Sequence, residues 1–198
     1  VKPELQLPLT GNPFDPEERG TLIGIGGQYT VHDIGDGRVM KIPNSLDGSR
    51  RFVGGWGPQI AKMTNKHMPL VETAAIREYC VPHVLRLAAR YPILGDILAR
   101  PKAMPGFCFT QDKVERALKH VIPKAAPAEV RGYLDATADI YQILWRYGIH
   151  DYIWFFLVNN AVDSHGKVVY VDFGETAYDT TWVAANVEQA QWEEKQVL

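Results

Sequence analysis

The chain has 198 residues, 46% of them hydrophobic and 22% charged, which is a composition typical of a folded globular protein and excludes intrinsic disorder. Its 21 Lys and Arg nearly balance 23 Asp and Glu, so a net charge of −2 gives no reason to expect nucleic acid or an anionic membrane as a partner. Two cysteines are too few for a disulfide framework. No apolar run reaches the roughly 18 residues that a membrane span needs, and no signal-peptide pattern is visible, so we expect a cytoplasmic protein without a membrane span.

The first part of the chain predicts an arm followed by a small antiparallel sheet. Residues 1–19 are rich in proline and glycine and are expected to form an extended arm. Three short strands are predicted at Thr21–Ile23, Tyr29–Ile34 and Arg38–Ile42. Gly35-Asp36-Gly37 connects the last two, because glycine supplies the positive φ that a tight hairpin requires.

Helical periodicity begins at Val71 and continues to Tyr91, with Pro82 predicting a kink or a division of that helix. Prolines at 101 and 105 indicate short strands and a linker, which places the boundary between two lobes within 105–112.

The second half predicts a long helix, a hairpin and a closing helix. An apolar stripe from Val130 to Trp145 ends at Gly148, a good helix terminator. A turn at Asp163–Gly166 leads into a strand at Lys167–Val171, and a last helix is expected over 181–198. The order of strands and helices indicates an α+β fold.

Two features in the sheet region could bind an anion. Gly24, Gly26 and Gly27 lie between two predicted strands, where backbone amides could approach a phosphate without interference from Cβ atoms. A glycine-rich hairpin without a ligand is the alternative. Lys41 stands among apolar strand residues, and a half-buried lysine is costly unless it meets an anion; otherwise it lies on the solvated face of an edge strand.

Two acidic features complete the pattern. Glu78, or alternatively Glu72, lies in the following helical segment and could pair with Lys41, although most helical glutamates are simply solvated. Asp172 ends a predicted strand and is followed by Phe173-Gly174, which suits metal coordination because glycine lets the backbone turn the carboxylate inward. A plain strand-terminating turn is the alternative.

In this order the four features resemble the protein-kinase fold, over about residues 20–175. Gly24, Gly26 and Val31 match the glycine-rich loop, with Tyr29 in place of its third glycine. The resemblance implies a two-lobed fold after the arm of residues 1–19, with a small antiparallel-sheet N-lobe over 20–110 and a reduced helical C-lobe over 111–198. It also implies ATP and Mg²⁺ as cofactors.

By the same resemblance, the glycine loop would cover the ATP phosphates and Lys41, paired with Glu78, would hold them. Asn159, in preference to Asn160, and Asp172 would bind Mg²⁺, and adenine would lie near residues 101–109.

The catalytic loop departs from the kinase pattern. Five residues before Asn159 stands Trp154, which cannot accept a proton, and the nearest carboxylate is Asp151, directly after His150. Asp151 could act as the general base from a longer loop, or His150 and Asp151 could merely close the preceding helix.

The 24 residues after Gly174 are too few for the distal helices of a typical protein kinase, and no Ala-Pro-Glu motif is present. The chain therefore looks more like a small atypical kinase or an aminoglycoside-phosphotransferase-like protein, acting on an unknown small-molecule or protein acceptor.

The leading hypothesis is an ATP- and Mg²⁺-dependent phosphotransferase. A pseudokinase that binds nucleotide or protein partners without phosphoryl transfer is the alternative, favoured by the aromatic run Trp154-Phe155-Phe156. A transferase that moves the nucleotide and an unrelated α+β domain remain open.

Overall fold

The structure is a computed structural model, and it describes residues 19–25, 29–43, 81–151, 156–173 and 176–177. Within them the chain is α+β, with antiparallel sheets and a few helices. Nearly all of the predicted arm (1–19) and the whole predicted closing helix (181–198) lie outside the described residues.

The larger sheet has five antiparallel strands in the order β1-β2-β3-β5-β4. The strands are β1 (Thr21–Ile25), β2 (Tyr29–Gly35), β3 (Arg38–Pro43), β4 (Lys102–Ala103) and β5 (Phe109–Asp112). The three predicted N-terminal strands are confirmed. Their second turn has positive φ at Asp36 (50°) and Gly37 (69°), as a tight hairpin requires.

Short strands predicted around the prolines at 101 and 105 are present as β4 and β5. β5 lies within 105–112, the range predicted to hold the lobe boundary, and pairs with β3. The chain leaves this sheet only after Asp112. The division at residue 110 itself stays a prediction.

Among the described residues, two helices precede β4, and the break between them has a local cause. Residues 81–90 form α1, and α2 runs over Pro92–Ile97. Tyr91 between them is extended (φ −117°, ψ 106°), because a residue that precedes proline avoids the helical region and proline suits the first helical position. Of the predicted pattern from Val71, the described part is helical up to this break.

The long helix of the second half is confirmed. A short helix, α3 (Leu118–Val121), and a 3₁₀ turn (Ile122–Lys124) lead into α4 (Pro127–Arg146). Glu129 Oε2 accepts a hydrogen bond of 2.8 Å from the Ala126 amide at its start. Gly148, with φ +69°, follows its end as predicted.

A second sheet has three strands in the order β6-β8-β9. These are β6 (Arg116–Ala117), β8 (Asn160–Val162) and β9 (Val168–Tyr170), and between β6 and β8 the chain forms β7 (His150–Asp151) and α5 (Phe156–Asn159). The predicted turn and strand at 163–171 are confirmed in β9 and its preceding turn. A further strand, β10 (Thr176–Ala177), pairs with β7.

The main hydrophobic core joins one face of the five-stranded sheet to the helices and to β9. Tyr29 and Phe109 from the sheet belong to the same buried cluster as Val84, Leu144 and Tyr170. A smaller cluster of Met40, Ile42 and Cys108 lies on the opposite face of the sheet. Among the described residues, no helix combines the length and the apolar character needed to cross a bilayer.

Candidate functional site

Lys41 lies in β3 at the boundary between the two sheets and is only 8% exposed. Its Nζ donates a 2.5 Å hydrogen bond to the carbonyl of Val171, and it lies 5.6 Å from the centre of the Phe109 ring. Burial lowers the pKa of Lys41, and the nearby Asp172 carboxylate partly offsets that effect. The alternative that Lys41 is a solvated edge-strand residue is wrong, because β3 is a central strand and its ammonium is buried.

A row of paired residues crosses the sheet at Lys41. Gly24 pairs with Val31, Val31 with Lys41, and Lys41 with Phe109, so all four positions share one face. A Cβ added at Gly24 would meet Val31 at an ordinary 3.6 Å, so the fold itself does not require glycine there. Gly24 lies two strands away from Lys41 on this face, with Val31 between them. The predicted loop glycines Gly26 and Gly27 lie outside the described residues.

Val171 links Lys41 to Asn159 by hydrogen bonds and precedes Asp172 in the chain. The Val171 amide donates a 2.7 Å hydrogen bond to the carbonyl of Asn159, while its own carbonyl accepts from Lys41. This arrangement follows from the β8–β9 hairpin, in which Asn160 pairs with Tyr170 and so places Asn159 opposite Val171. The structure therefore brings three of the predicted site residues together.

The side chains around Asp172 differ sharply in exposure. Phe173 is fully buried and stacks on Phe109 with ring centres 4.8 Å apart and an angle of 30°, and Tyr29 contacts the other part of Phe109 edge-on. Asp172 itself is exposed. The buried phenylalanine thus anchors the chain after β9, while the preceding carboxylate of Asp172 stays exposed.

The structure distinguishes the two candidate asparagines. Asn160 is completely buried; its Nδ2 donates a 2.9 Å hydrogen bond to the carbonyl of Phe156, and its Oδ1 has no hydrogen-bond partner among the described residues. Asn159 is 7% exposed, and its backbone carbonyl accepts the hydrogen bond from Val171, the residue before Asp172. The preference for Asn159 as the metal ligand stays a prediction.

Two predicted site residues cannot be placed with the others. Asp151 lies in β7, where its backbone pairs with Thr176, and its side chain is not among those that the structure describes. Glu78, Glu72 and Trp154 lie outside the described residues. The roles of Asp151 as base and of Glu78 as partner of Lys41 stay predictions.

The donor set fits a metal ion that is shared with a phosphate ligand. Mg²⁺ takes oxygen ligands and is usually held by one or two carboxylates together with substrate phosphates. Asp172 and Asn159 supply a carboxylate and an amide oxygen, and the Lys41 ammonium has two further donors for phosphate oxygens. Among the described residues, no cluster of three His, Cys, Asp or Glu side chains could hold a metal ion alone.

Residues 113–115 connect β5 of the five-stranded sheet to β6 of the second sheet. The amides of Asp112, Lys113 and Glu115 donate to the carbonyls of Ala99, Gly37 and Val162 at 2.8–2.9 Å. Val114 is the residue of this stretch whose amide has no partner within the described parts of the chain. Residues 101–109, near which the kinase resemblance places adenine, contain β4, a turn and the first position of β5, and that placement stays a prediction.

A charged cluster fixes this connection to the sheet. Arg38 donates to Asp112 at 2.5 Å and to Thr110 at 2.7 Å, and Arg100 donates to the other oxygen of Asp112. The Asp112 hydrogen bond raises the pKa of Arg100. Sequence reasoning missed this cluster, because Arg38 and Asp112 are 74 residues apart and only the pairing of β3 with β5 brings them together.

No family model matches the chain, and no curated protein matches it. Among solved structures, the chain is similar to the complex of Rv3197 with erythromycin from Mycobacterium tuberculosis, with 15% sequence identity and a TM-score of 0.48. The alignment covers 94% of this chain and 57% of that chain. The present chain thus spans little more than half the length of that protein.

Proposed function

We propose that this protein is an ATP- and Mg²⁺-dependent phosphotransferase with a two-lobed, kinase-like fold. The observation that carries the proposal is the convergence of Lys41, Asn159 and Asp172 on Val171. A buried lysine beside an exposed carboxylate and an amide oxygen is an arrangement that can hold a phosphate and a hard cation together.

In this proposal each residue has a distinct task. Lys41 holds phosphate oxygens, and an anion there compensates the burial of its ammonium. Asp172 and Asn159 hold the metal ion, which neutralises charge on the transferring phosphoryl group when bound. Gly24, two strands away from Lys41 on the same face, leads into the glycine-rich segment that would cover the phosphates.

The base of the nucleotide would lie toward residues 113–115. Val39 and Gln111 form the next pair along the same face of the sheet, so a ligand that extends from Lys41 past this pair reaches the connection. There the Val114 amide is a donor that the described residues leave available. In the two-lobed interpretation, the five-stranded sheet belongs to the N-lobe, and α4 with the β6-β8-β9 sheet belongs to the C-lobe.

The second candidate function is a pseudokinase that holds nucleotide without transferring phosphate. It is favoured by Trp154, which stands where the kinase pattern has the aspartate that acts as general base. Phosphoryl transfer depends mainly on positioning and charge stabilisation, so Asp151 need only be within reach of the acceptor hydroxyl for the first candidate to hold.

Calorimetry with Mg·ATP tests the binding part. The unaltered protein should bind with micromolar affinity, and Lys41→Met and Asp172→Asn should each weaken binding about tenfold or more because a charge-assisted contact is lost. Lys119→Met and Asp135→Asn, at exposed positions on α3 and α4, are the matched controls and should bind normally. Absence of binding by the unaltered protein, or equal losses in the controls, contradicts the proposal.

The transfer part needs a second assay. Incubation with γ-labelled ATP and a panel of small hydroxyl compounds and proteins should label an acceptor, and Asp151→Asn should reduce the rate about a hundredfold while leaving ATP affinity unchanged. Binding without any labelling, or labelling that Asp151→Asn does not slow, favours the pseudokinase or a different base.

A further inference from the structure

A cavity lies at the edge of the five-stranded sheet, away from the residues around Lys41. It has a volume of about 770 Å³ and is enclosed by α1, α2, β4 and the turn between β4 and β5. Lys41, Asn159 and Asp172 are not among its lining residues. Cavities of about 300–1,000 Å³ are of the size that takes a drug-sized small molecule.

The floor of this cavity is apolar. Val81, Leu85 and Ala88 from α1 and Cys108, the residue before β5, form its buried base, and each is at most 7% exposed. The apolar lining residues that are exposed to solvent are Ala89, Pro92, Ala103 and Phe107. An apolar surface of this kind gains free energy when a hydrophobic ligand replaces water. The ligand therefore needs an apolar body.

The turn beside the cavity holds an aromatic side chain in solvent. Phe107 is 41% exposed and has φ +61°, directly after Gly106 with φ +67°. Positive φ is unfavourable for a bulky residue, and hydrogen bonds from Met104 to Cys108 and from Cys108 to Pro105 hold the turn in place. The fold thus keeps Phe107 on the wall of the cavity at a conformational cost and without burying its ring.

The charges around the opening are mainly positive. Arg86, Arg100 and Lys102 line the cavity, and Asp96 is the one acidic side chain among the lining residues. All four are exposed at its rim, although Arg100 also pairs with Asp112. An excess of cations around an apolar floor complements a ligand with an apolar body and an anionic head.

We propose that this cavity is a binding site for a small amphipathic carboxylate. The apolar body lies on the α1 floor against Phe107, and the carboxylate faces Arg86 and Lys102. This site does not depend on the proposed nucleotide site, and either can exist without the other.

The test uses a fluorescent carboxylate, 11-(dansylamino)undecanoic acid, and its uncharged methyl ester. The acid should bind the unaltered protein with micromolar affinity and the ester about tenfold more weakly, because the ester lacks the charge that the rim cations attract. Ala89→Trp fills the cavity from an exposed position of α1, and Lys102→Glu reverses a rim charge. Each should weaken binding of the acid about tenfold.

Ala138→Trp and Lys119→Glu make the same changes at exposed positions of α4 and α3, outside the cavity, and should leave binding unchanged. If Ala89→Trp does not fold, Arg86→Glu replaces it, because that change alters only a rim charge. Lys41→Met should bind the acid normally even if Mg·ATP binding is lost. The proposal is overturned if the acid does not bind, if the cavity variants bind as well as the controls, or if Lys41→Met abolishes binding.

Discussion

Replacing Asp112 by alanine removes the carboxylate that joins the start of β3 to the end of β5. The side chains of Asp112 and Arg38 are 19% and 20% exposed, so their bond is largely shielded from water. A hydrogen bond to a charged group contributes about 1.5–3 kcal/mol, and Arg38 keeps its contacts with Thr110 and the Arg100 carbonyl. Arg100 is 67% exposed, so its bond to Asp112 adds little.

We therefore expect Asp112→Ala to lower the free energy of unfolding by about 2 kcal/mol, and the melting temperature of a chain of this length by about 4–8 °C. Urea denaturation followed by tryptophan fluorescence measures the change. Asp135→Ala, at an exposed position of α4, is the matched control and should stay within about 0.5 kcal/mol of the unaltered protein.

A double-mutant cycle with Arg38→Ala isolates the pair. The double variant should be less destabilised than the sum of the single variants by about 1–2 kcal/mol, because the first change already breaks the shared bond. Strict additivity of the two changes, or an Asp112→Ala variant as stable as Asp135→Ala, would refute the reasoning.

Three further predictions concern single residues. Burial lowers the pKa of Lys41 from its ordinary 10.5, so the unfolded chain binds more protons than the folded chain in the alkaline range. The unaltered protein should therefore gain stability relative to Lys41→Met as the pH rises toward 10.5. Denaturation midpoints of the two proteins measure this, and a difference that stays constant with pH would contradict it. Gly148→Ala should destabilise by about 1–2 kcal/mol because φ is +69°, whereas Gly132→Ala, within α4 and with open space for a Cβ, should stabilise by about 0.5–1 kcal/mol; equal signs in thermal unfolding would be inconsistent with the backbone argument. Burial raises the pKa of Cys108 to about 11, so peptide mapping after treatment with a thiol reagent near pH 8 should find Cys108 unmodified in the folded protein, and rapid labelling would show that the site opens.

Local signals predicted the elements whose causes are local. The glycines at 35 and 37 revealed the hairpin between β2 and β3, and the apolar stripe with Gly148 revealed α4. In contrast, β5 is held by pairing with β3 from far earlier in the chain and β4 by pairing with β5, and both strands are too short to show a periodicity.

The same distinction applies to the site. Motif spacing selected Lys41 and Asp172 as site residues, and the structure places them near each other, but the spacing left open which face Lys41 occupies. Residues 39–42 are buried throughout, so β3 lacks the alternation that tells one face from the other. Val114 and Val171 had no signal at all, because their backbone atoms and not their side chains define their positions in the site.

The contact through Val171 also bears on how this site can change during evolution. Both of its hydrogen bonds use peptide atoms. Every residue type has the carbonyl oxygen, and every residue type except proline has the N–H. The side chain at this position is therefore free to vary while the link between Lys41 and Asn159 persists, and an alanine scan would pass over it. An ester in place of the peptide bond before Val171 would remove the N–H that bonds to Asn159. That change would reveal the role of Val171, which side-chain substitution cannot.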